Sequence, residues 1–121
     1  MLNLSHKKLD VWKLALQLVI KIYKLTDKFP HDEKFGLTLQ LRRASVSSHS
    51  NLSEGLARIS KLEKRRFLEI SRSSIVEIDT QLEISLALKY CIEPELTEIE
   101  AIMNELFAKI SKMMSNLELK K

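Results

Sequence analysis

The sequence predicts an all-α protein, an antiparallel four-helix bundle with up-down-up-down topology. Its 121 residues contain only two glycines and two prolines, so few positions favour turns. Apolar residues recur at three- and four-residue steps in four long segments, which is the period of an amphipathic helix. Helices of about 23 to 31 residues joined by short links pack as antiparallel neighbours. We therefore expect one domain that spans residues 1–121.

The first helix is predicted over about 6–28, and it ends at Phe29-Pro30. Proline cannot continue a helix and disfavours helical backbone in the preceding residue. One face of this helix carries a row of apolar side chains, which the spacing assigns to the core. These residues are Leu9, Trp12, Leu16, Val19, Ile20 and Tyr23.

The second helix is predicted over about 33–57, with Asp32 as its N-cap and Gly55 as its C-terminal cap. Its core face includes small side chains in the middle, which would let a neighbouring helix approach closely. That face consists of Leu37, Leu41, Ala44, Ser48, Leu52 and Leu56.

The third helix is predicted over about 61–91, opened by a capping box of Ser60 and Glu63. The spacing defines its core seam as Phe67, Ile70, Ser74, Glu77, Gln81, Ile84 and Leu88.

The fourth helix is predicted over about 95–117, with Pro94 at its first position and a capping box of Thr97 and Glu100. Its apolar stripe is Leu96, Ile99, Met103, Leu106, Ile110, Met113, Met114 and Leu117. The tail over 117–121 is expected to fray.

A polar line runs beside the apolar face of the second helix with the same helical spacing. Because Glu77 falls in the predicted core seam of the third helix, it needs a partner, and Arg43 is the natural one. The predicted network that fixes helix register consists of Gln40, Arg43, Ser47, Asn51, Glu54, Glu77 and Gln81. A ligand or catalytic role is the disfavoured alternative, since no nucleophile with an adjacent base and no phosphate-binding loop can be read.

Charge is unevenly distributed along the chain. Residues 1–76 hold 15 Lys and Arg against 7 Asp and Glu, whereas residues 77–121 hold 5 against 9. The start of the third helix concentrates cations at a positive helix end, a pattern typical of anion binding. We predict a nucleic-acid-binding surface of Arg58, Lys61, Lys64, Arg65, Arg66 and Arg72. A solvated face, partly neutralised by Glu63 and Glu69, is the alternative.

Several classes of site and location are not indicated. The histidines, His6, His31 and His49, lack metal-ligand spacing, so no metal and no cofactor is expected. Cys91 is the only cysteine in the sequence, so no disulfide can form within the chain. It is interpreted as a small buried apolar residue. No apolar run approaches the roughly 20 residues of a membrane span, and a cytoplasmic location is expected.

Four stretches, in order, resemble the bacterial 23S rRNA intervening-sequence protein family: "LDVWKLAL", "IYKLTDKFPHDEKFGLTLQLRRASVS", "NLSEGLARISKLEKRRFLEI" and "SSIVEIDTQLEISLALKY". The resemblance implies an antiparallel four-helix bundle, assembly into pentameric rings and no established enzymatic activity. A related branch works with a reverse transcriptase and RNA in diversity-generating retroelements. The sequence differs from the usual family pattern at Ser48 and His49, where an apolar residue and proline are commoner, and at Ser53, where alanine is usual.

Residues and resemblance together favour a non-enzymatic, cytoplasmic homo-oligomer, with a pentamer favoured, that binds RNA or another nucleic acid through a basic surface. The alternative is a structural scaffold that recruits a protein partner without contacting nucleic acid. A hydrolase that uses Glu54 or Glu77 is disfavoured, because an active site needs more groups than these two carboxylates.

Overall fold

A computed structural model describes residues 1–117 of the chain, and most of these residues are helical. The tail that is expected to fray, residues 117–121, lies outside this range except for Leu117. The helices are α1 (Asp10–Thr26), α2 (Leu37–Ala57), α3 (Lys61–Ala87) and α4 (Glu93–Asn116), with 3-10 turns at Ser5–Lys8 and His31–Glu33. Residues 1–117 contain no strand. The predicted all-α class is confirmed.

The four helices form a closed square in which each packs against two neighbours, α1 against α2 and α4, and α3 against α2 and α4. Ion pairs show that α1 and α4 run in opposite directions, because Lys21 of α1 meets Glu98 whereas Lys28, just after the end of α1, meets the earlier Glu95. The core lies between the helices and includes the fully buried Leu41. The topology is that of an up-down-up-down bundle.

The predicted core face of α1 is wrong. The buried face of α1 consists of Val11, Ala15, Leu18, Ile22 and Leu25. Leu9, Leu16, Ile20 and Tyr23 lie on the opposite face and are 39 to 45% exposed. Two apolar rows fit helical spacing in this segment, and the choice between them depends on which row the other three helices cover.

Gly36, not the predicted Asp32, is the N-cap of α2, and the Glu33 side chain accepts from the first amide of the helix. A 3-10 turn delays the helix to Leu37, whose backbone N–H donates to Glu33 Oε1 at 3.1 Å. The Tyr90 hydroxyl donates to the other oxygen, Oε2, at 2.8 Å. These two hydrogen bonds lower the pKa of Glu33, with the Leu37 amide as the larger cause.

Gly55 lies inside α2 and does not form its C-terminal cap, which is Arg58 in extended conformation. A Cβ atom at Gly55 would lie 3.3 Å from both the Lys64 carbonyl oxygen and the Phe67 Cβ. The glycine therefore permits close approach of α2 to the first turns of α3. The predicted apolar face of α2 does reach the core, with Leu56 at its margin.

The predicted seam of α3 is only partly buried. Ser74 and Gln81 are buried, but Ile70, Glu77, Ile84 and Leu88 are exposed. The core instead receives a face rotated around the helix, with Leu68, Ile75, Ile78 and Leu82 as its large side chains.

Half of the predicted capping box forms at the start of α3, where the Ser60 Oγ accepts from the Glu63 backbone N–H at 3.4 Å, while the Glu63 carboxylate pairs with Arg58. The helix ends earlier than predicted, at Ala87. Lys89 follows with a φ of 62°, and the Tyr90 N–H donates to the Ser85 carbonyl at 2.9 Å. This six-to-one bond is the pattern of a Schellman motif.

The N-terminal turn of α4 is formed by other residues than predicted. Ile92 is the N-cap, and its backbone N–H donates to Glu95 Oε1 at 3.0 Å. Thr97 and Glu100 lie within the helix and form no capping box there, because α4 already begins at Glu93. The predicted apolar stripe of α4 does face the core.

Candidate nucleic-acid interface

One end of the bundle is basic. It brings together the start of α1, the junction of α2 and α3, and the end of α4, which are residues 1–18, 48–73 and 105–117. These ranges hold eleven Lys and Arg against five Asp and Glu, a net +6. Residues 19–47 and 74–104 form the other end with seven against ten, a net −3. This separation creates an electrostatic gradient along the bundle.

Two of the six predicted nucleic-acid-binding residues hold the α2–α3 junction together. Lys64 Nζ donates to the carbonyl oxygens of Gly55 at 3.4 Å and Leu56 at 3.2 Å, which satisfies carbonyls at the end of α2. Arg58 pairs with Glu54 at 3.1 Å and with Glu63 at 3.7 Å. These basic groups therefore already have partners within the chain.

Two further predicted residues connect α3 to α4. Arg65 Nη1 donates to the Met114 carbonyl at 2.6 Å, near the end of α4. Arg72 Nη1 donates to Ser111 Oγ at 3.1 Å, and the guanidinium lies 5.5 Å from the centre of the Phe107 ring. Both arginines are half-buried, so packing as well as charge fixes them.

Lys61 and Arg66 differ from the other four members of the predicted surface. Both are exposed, and neither forms an ion pair or side-chain hydrogen bond within residues 1–117. The fold adds exposed cations that the sequence reasoning missed: Lys8 from the first 3-10 turn, Lys13 from α1 and Lys112 from α4. They are distant from Lys61 in the sequence, and only the antiparallel topology gathers them at one end.

The predicted ion pair between Arg43 and Glu77 does not form among the residues that the structure describes. Both side chains are exposed at the outer edge of the α2–α3 contact, so water solvates Glu77 and it needs no buried partner. Gln40 and Glu54 are likewise exposed. The predicted polar network is therefore not one buried cluster.

Local hydrogen bonds, rather than one network, join polar side chains along the outer edge of the α2–α3 contact. Ser74 Oγ donates to Ser47 Oγ at 3.1 Å across α2 and α3, and Asn51 Nδ2 donates to the Ser47 carbonyl at 2.8 Å. Gln81 Nε2 donates to Glu77 Oε2 at 3.4 Å, one turn away on the same helix. These contacts assist helix packing and contain no nucleophile–base pair.

Arg42 performs the interhelical role that the sequence assigned to its neighbour Arg43. Its Nε donates to Thr26 Oγ1 at 2.9 Å, and its Nη2 pairs with Asp27 Oδ1 at 3.0 Å. The guanidinium also lies 4.6 Å from the centre of the Tyr23 ring. Consecutive helical residues point about 100° apart, which separates the functions of the two arginines.

The serines and histidine that distinguish this sequence make specific contacts. The His49 ring packs against Trp12 with centroids 4.5 Å apart, and Trp12 Nε1 donates to Ser53 Oγ at 2.9 Å. Burial lowers the pKa of His49, with a smaller contribution from His6. Ser71 Oγ donates to the Ser48 carbonyl at 2.7 Å. All of these contacts join α2 to a neighbouring helix.

Metal sites, reactive thiols and membrane spans each require features that residues 1–117 do not show. No group of three or more His, Cys, Asp or Glu within residues 1–117 is arranged to hold a metal ion. Cys91 is buried, and burial raises the pKa of its thiol, which disfavours the reactive thiolate. None of the helices in this range combines the length and apolarity that a membrane span requires.

Fold and surface together define a helical-bundle protein with one basic end. Its sequence matches the family of 23S rRNA-intervening sequence proteins over residues 7–112. The chain belongs to this family, as the resemblance of its motifs predicted. Among curated proteins, no sequence gives a significant match.

A solved structure supports the fold independently. It is the crystal structure of a protein with unknown function from the S23 ribosomal protein family of Bacteroides thetaiotaomicron. The two chains share 19% sequence identity with a TM-score of 0.76, over 86% of this chain and 97% of the other. Neither the name of the family nor that of the solved structure refers to a catalytic activity.

Proposed function

We propose that this protein is a non-enzymatic, cytoplasmic homo-oligomer, of which a pentamer is the favoured form, and that it binds structured RNA through the basic end. The net charge of +6 at that end is the observation that carries the proposal. Lysine and arginine side chains that neutralise phosphates release counterions, and this term dominates nucleic-acid affinity. The family name, which refers to 23S rRNA, supports RNA as the polyanion.

Lys61 and Arg66 are the contact residues that the geometry supports best. They lie on the first turns of α3 and are exposed and unpaired within residues 1–117. Arg58, Lys64, Arg65 and Arg72 contribute positive potential, but their side chains hold the helices together. Contacts to phosphates rather than bases are expected, since the aromatic side chain on the first turns of α3, Phe67, is half-buried and its ring is covered by the Arg58 guanidinium.

The experiment that tests this function measures binding of a labelled RNA stem-loop by fluorescence anisotropy. The variant Lys61→Glu/Arg66→Glu reverses two charges that no folded-state contact uses. We expect its Kd at about 0.1 M salt to rise roughly 10- to 100-fold, given the loss of two or more released counterions. Circular dichroism and the thermal midpoint should stay close to wild type.

The matched control reverses two exposed lysines at the opposite end, Lys34→Glu/Lys89→Glu. Equal loss of affinity in this control, or unchanged affinity in Lys61→Glu/Arg66→Glu, would overturn the basic end as the RNA site. If the wild type binds no RNA, the alternative of a scaffold for a protein partner gains support. The engagement of four of the six predicted cations in contacts within the chain favours that alternative. A pull-down with and without nuclease separates the two.

A further inference from the structure

The outward face of α1 carries several exposed apolar side chains among polar ones. Leu9, Leu16, Ile20 and Tyr23 lie opposite the buried face of the helix. We refer to these four residues as the α1 stripe. Exposed apolar side chains are common singly, whereas several along one face of a helix form a candidate binding surface.

Two lysines accompany the α1 stripe. Lys13 and Lys24 are exposed and form no ion pair within residues 1–117. Two neighbouring lysines, Lys21 of α1 and Lys28 just after its end, are paired with glutamates of α4. The stripe therefore presents apolar side chains together with two available positive charges.

An acidic groove with an apolar lining lies between α3 and α4, on the far side of the bundle from the α1–α2 contact. Its volume is about 300 Å³. Val76, Leu86 and Phe107 are among the apolar residues that line it. Three exposed carboxylates, Asp79, Glu83 and Glu100, also line the groove and form no ion pair within residues 1–117. No lysine or arginine lines it.

We propose that the α1 stripe of one copy of this chain docks into the α3–α4 groove of a second copy. Both surfaces are apolar, and their charges are complementary: Lys13 and Lys24 on one, Asp79, Glu83 and Glu100 on the other. Because the two surfaces are different and lie on different helices of each chain, the contact is heterologous. In the resulting pair, one copy keeps an unused groove and the other an unused α1 stripe, so further copies can add.

This inference rests on the homo-oligomer of the proposed function and identifies the surfaces that build it. A symmetrical contact between two α1 stripes is less favourable. It would oppose Lys13 and Lys24 to the same lysines of the other copy and would leave the carboxylates of the groove without positive partners.

Two surface variants test the contact by analytical ultracentrifugation. The stripe variant, Leu16→Gln/Ile20→Gln, removes apolar area with a residue that keeps helix propensity. The groove variant, Glu83→Lys/Glu100→Lys, reverses two exposed charges. We expect each alone to raise the Kd of self-association at least tenfold. The matched control Glu69→Lys/Glu105→Lys makes the same charge change at exposed positions that do not line the groove, and it should associate like wild type.

Mixing the two variants gives the sharper result. The intact groove of the stripe variant can accept the intact stripe of the groove variant, and the remaining surfaces are both damaged. The mixture should therefore form a one-to-one heterodimer and stop there, whereas each variant alone stays monomeric. A heterologous contact predicts this capped dimer, and a symmetrical one does not.

Other results overturn the inference in distinguishable ways. If the groove variant associates like wild type, the α1 stripe binds elsewhere, and the proposed homo-oligomer survives without this contact. If the wild type is itself a monomer at tens of micromolar, the inference and the homo-oligomer fail together. RNA affinity of the Lys61→Glu/Arg66→Glu variant is measured separately, so the fate of the RNA site does not depend on either outcome.

Discussion

At the scale of single residues, Lys89 is held in a conformation that favours glycine. Its φ of 62° lies in the left-handed region, which costs an L-residue roughly 1–2 kcal/mol. Lys89→Gly relieves this cost but increases the entropy of the unfolded chain. We expect a net gain of about 0.5 kcal/mol in the free energy of unfolding, measured by urea denaturation. Lys89→Ala keeps the strain and should give no gain; equal stabilisation by both variants would contradict the explanation.

The Tyr90–Glu33 hydrogen bond should make stability depend on pH. Hydrogen bonds from the Leu37 amide and the Tyr90 hydroxyl lower the pKa of Glu33, so their stabilisation exists above the unfolded pKa of about 4.3 and is lost as pH falls. The same bond raises the pKa of Tyr90, so on the alkaline side its stabilisation is lost as pH rises beyond about 10. Tyr90→Phe should therefore lower stability most between these limits.

Urea denaturation of wild type and Tyr90→Phe at about pH 7 and pH 3 measures this effect. The difference in unfolding free energy should shrink at the lower pH, as Glu33 becomes protonated. Tyr23→Phe is the control, because the structure gives the Tyr23 hydroxyl no hydrogen bond within residues 1–117. A difference for Tyr90→Phe that is the same at both pH values would exclude Glu33 as the cause.

Residue roles could be derived from the sequence only where they depend on local geometry. Ser60 is an example, since a cap and its helix are neighbours along the chain. Arg42 and Arg43 show the limit. They are adjacent and chemically identical, and which one reaches Asp27 depends on the rotation of α2 against α1. That rotation is a tertiary property with no signature in a single segment.

At the scale of helices, the contact between α2 and α3 is the most extensive in the bundle and depends on small residues. Ser48 and Ser71 are both fully buried there. Ser71 Oγ donates to the Ser48 carbonyl at 2.7 Å, and the two hydroxyl oxygens lie 3.3 Å apart. Because the Ser71 proton is used on that carbonyl, the Ser48 hydroxyl is the donor to Ser71 Oγ, within a contact that admits no larger side chain without displacement.

A double-mutant cycle on this pair should show coupling. Ser71→Ala alone leaves the buried Ser48 hydroxyl without its acceptor, at a cost of about 1–3 kcal/mol, whereas Ser48→Ala leaves the Ser71 hydroxyl donating to the carbonyl of residue 48 and should cost less. The double variant removes both hydroxyls, so its loss should be smaller than the sum by about 0.5–1 kcal/mol. Thermal and urea denaturation measure the four proteins. Ser50→Ala, at an exposed position of α2, should stay within about 0.5 kcal/mol of wild type. Strict additivity would show that the hydroxyls act independently.

The number and order of the helices could be predicted from apolar periodicity and from the proline, glycine and capping residues between segments. Which face of each helix is buried could be predicted only in part. The apolar faces of α2 and α4 were correctly predicted because each of these helices carries one dominant apolar row. α1 carries two apolar rows, a buried one that begins at Val11 and an exposed one that begins at Leu9. Periodicity alone cannot distinguish a row that packs into the core from a row that a partner would cover. The error on α1 thus has the same physical origin as the proposed contact between copies.

At the scale of the whole molecule, charge is separated between the two ends of the bundle. The sequence shows an imbalance between residues 1–76 and 77–121, but the fold redistributes it. Antiparallel helices place Lys109 and Lys112, from the acidic part of the chain, at the same basic end as Lys61 and Arg66. The candidate site could therefore be predicted only as far as its local cluster on α3, because its remaining members are brought together by topology.

This charge separation predicts how RNA affinity depends on salt. The slope of log K against log salt concentration counts the phosphates that the protein neutralises, at about 0.9 per contact for a duplex. Lys8 and Lys112 lie at the basic end on different elements from Lys61, and both are exposed. We expect Lys8→Glu/Lys112→Glu to reduce the magnitude of the slope by about 1 for each lost contact. The slope is measured by anisotropy titrations between about 50 and 200 mM salt.

The same titrations on Lys34→Glu/Lys89→Glu provide the comparison, because this variant has the same change in net charge at the opposite end. If RNA senses only the total charge of the protein, both variants should weaken binding equally and neither should change the slope more than the other. If RNA is seated on the basic end, the slope should fall for Lys8→Glu/Lys112→Glu alone. An unchanged slope there would confine the RNA site to the α2–α3 junction, since local contacts by Lys61 and Arg66 do not require charges on the first 3-10 turn or on α4.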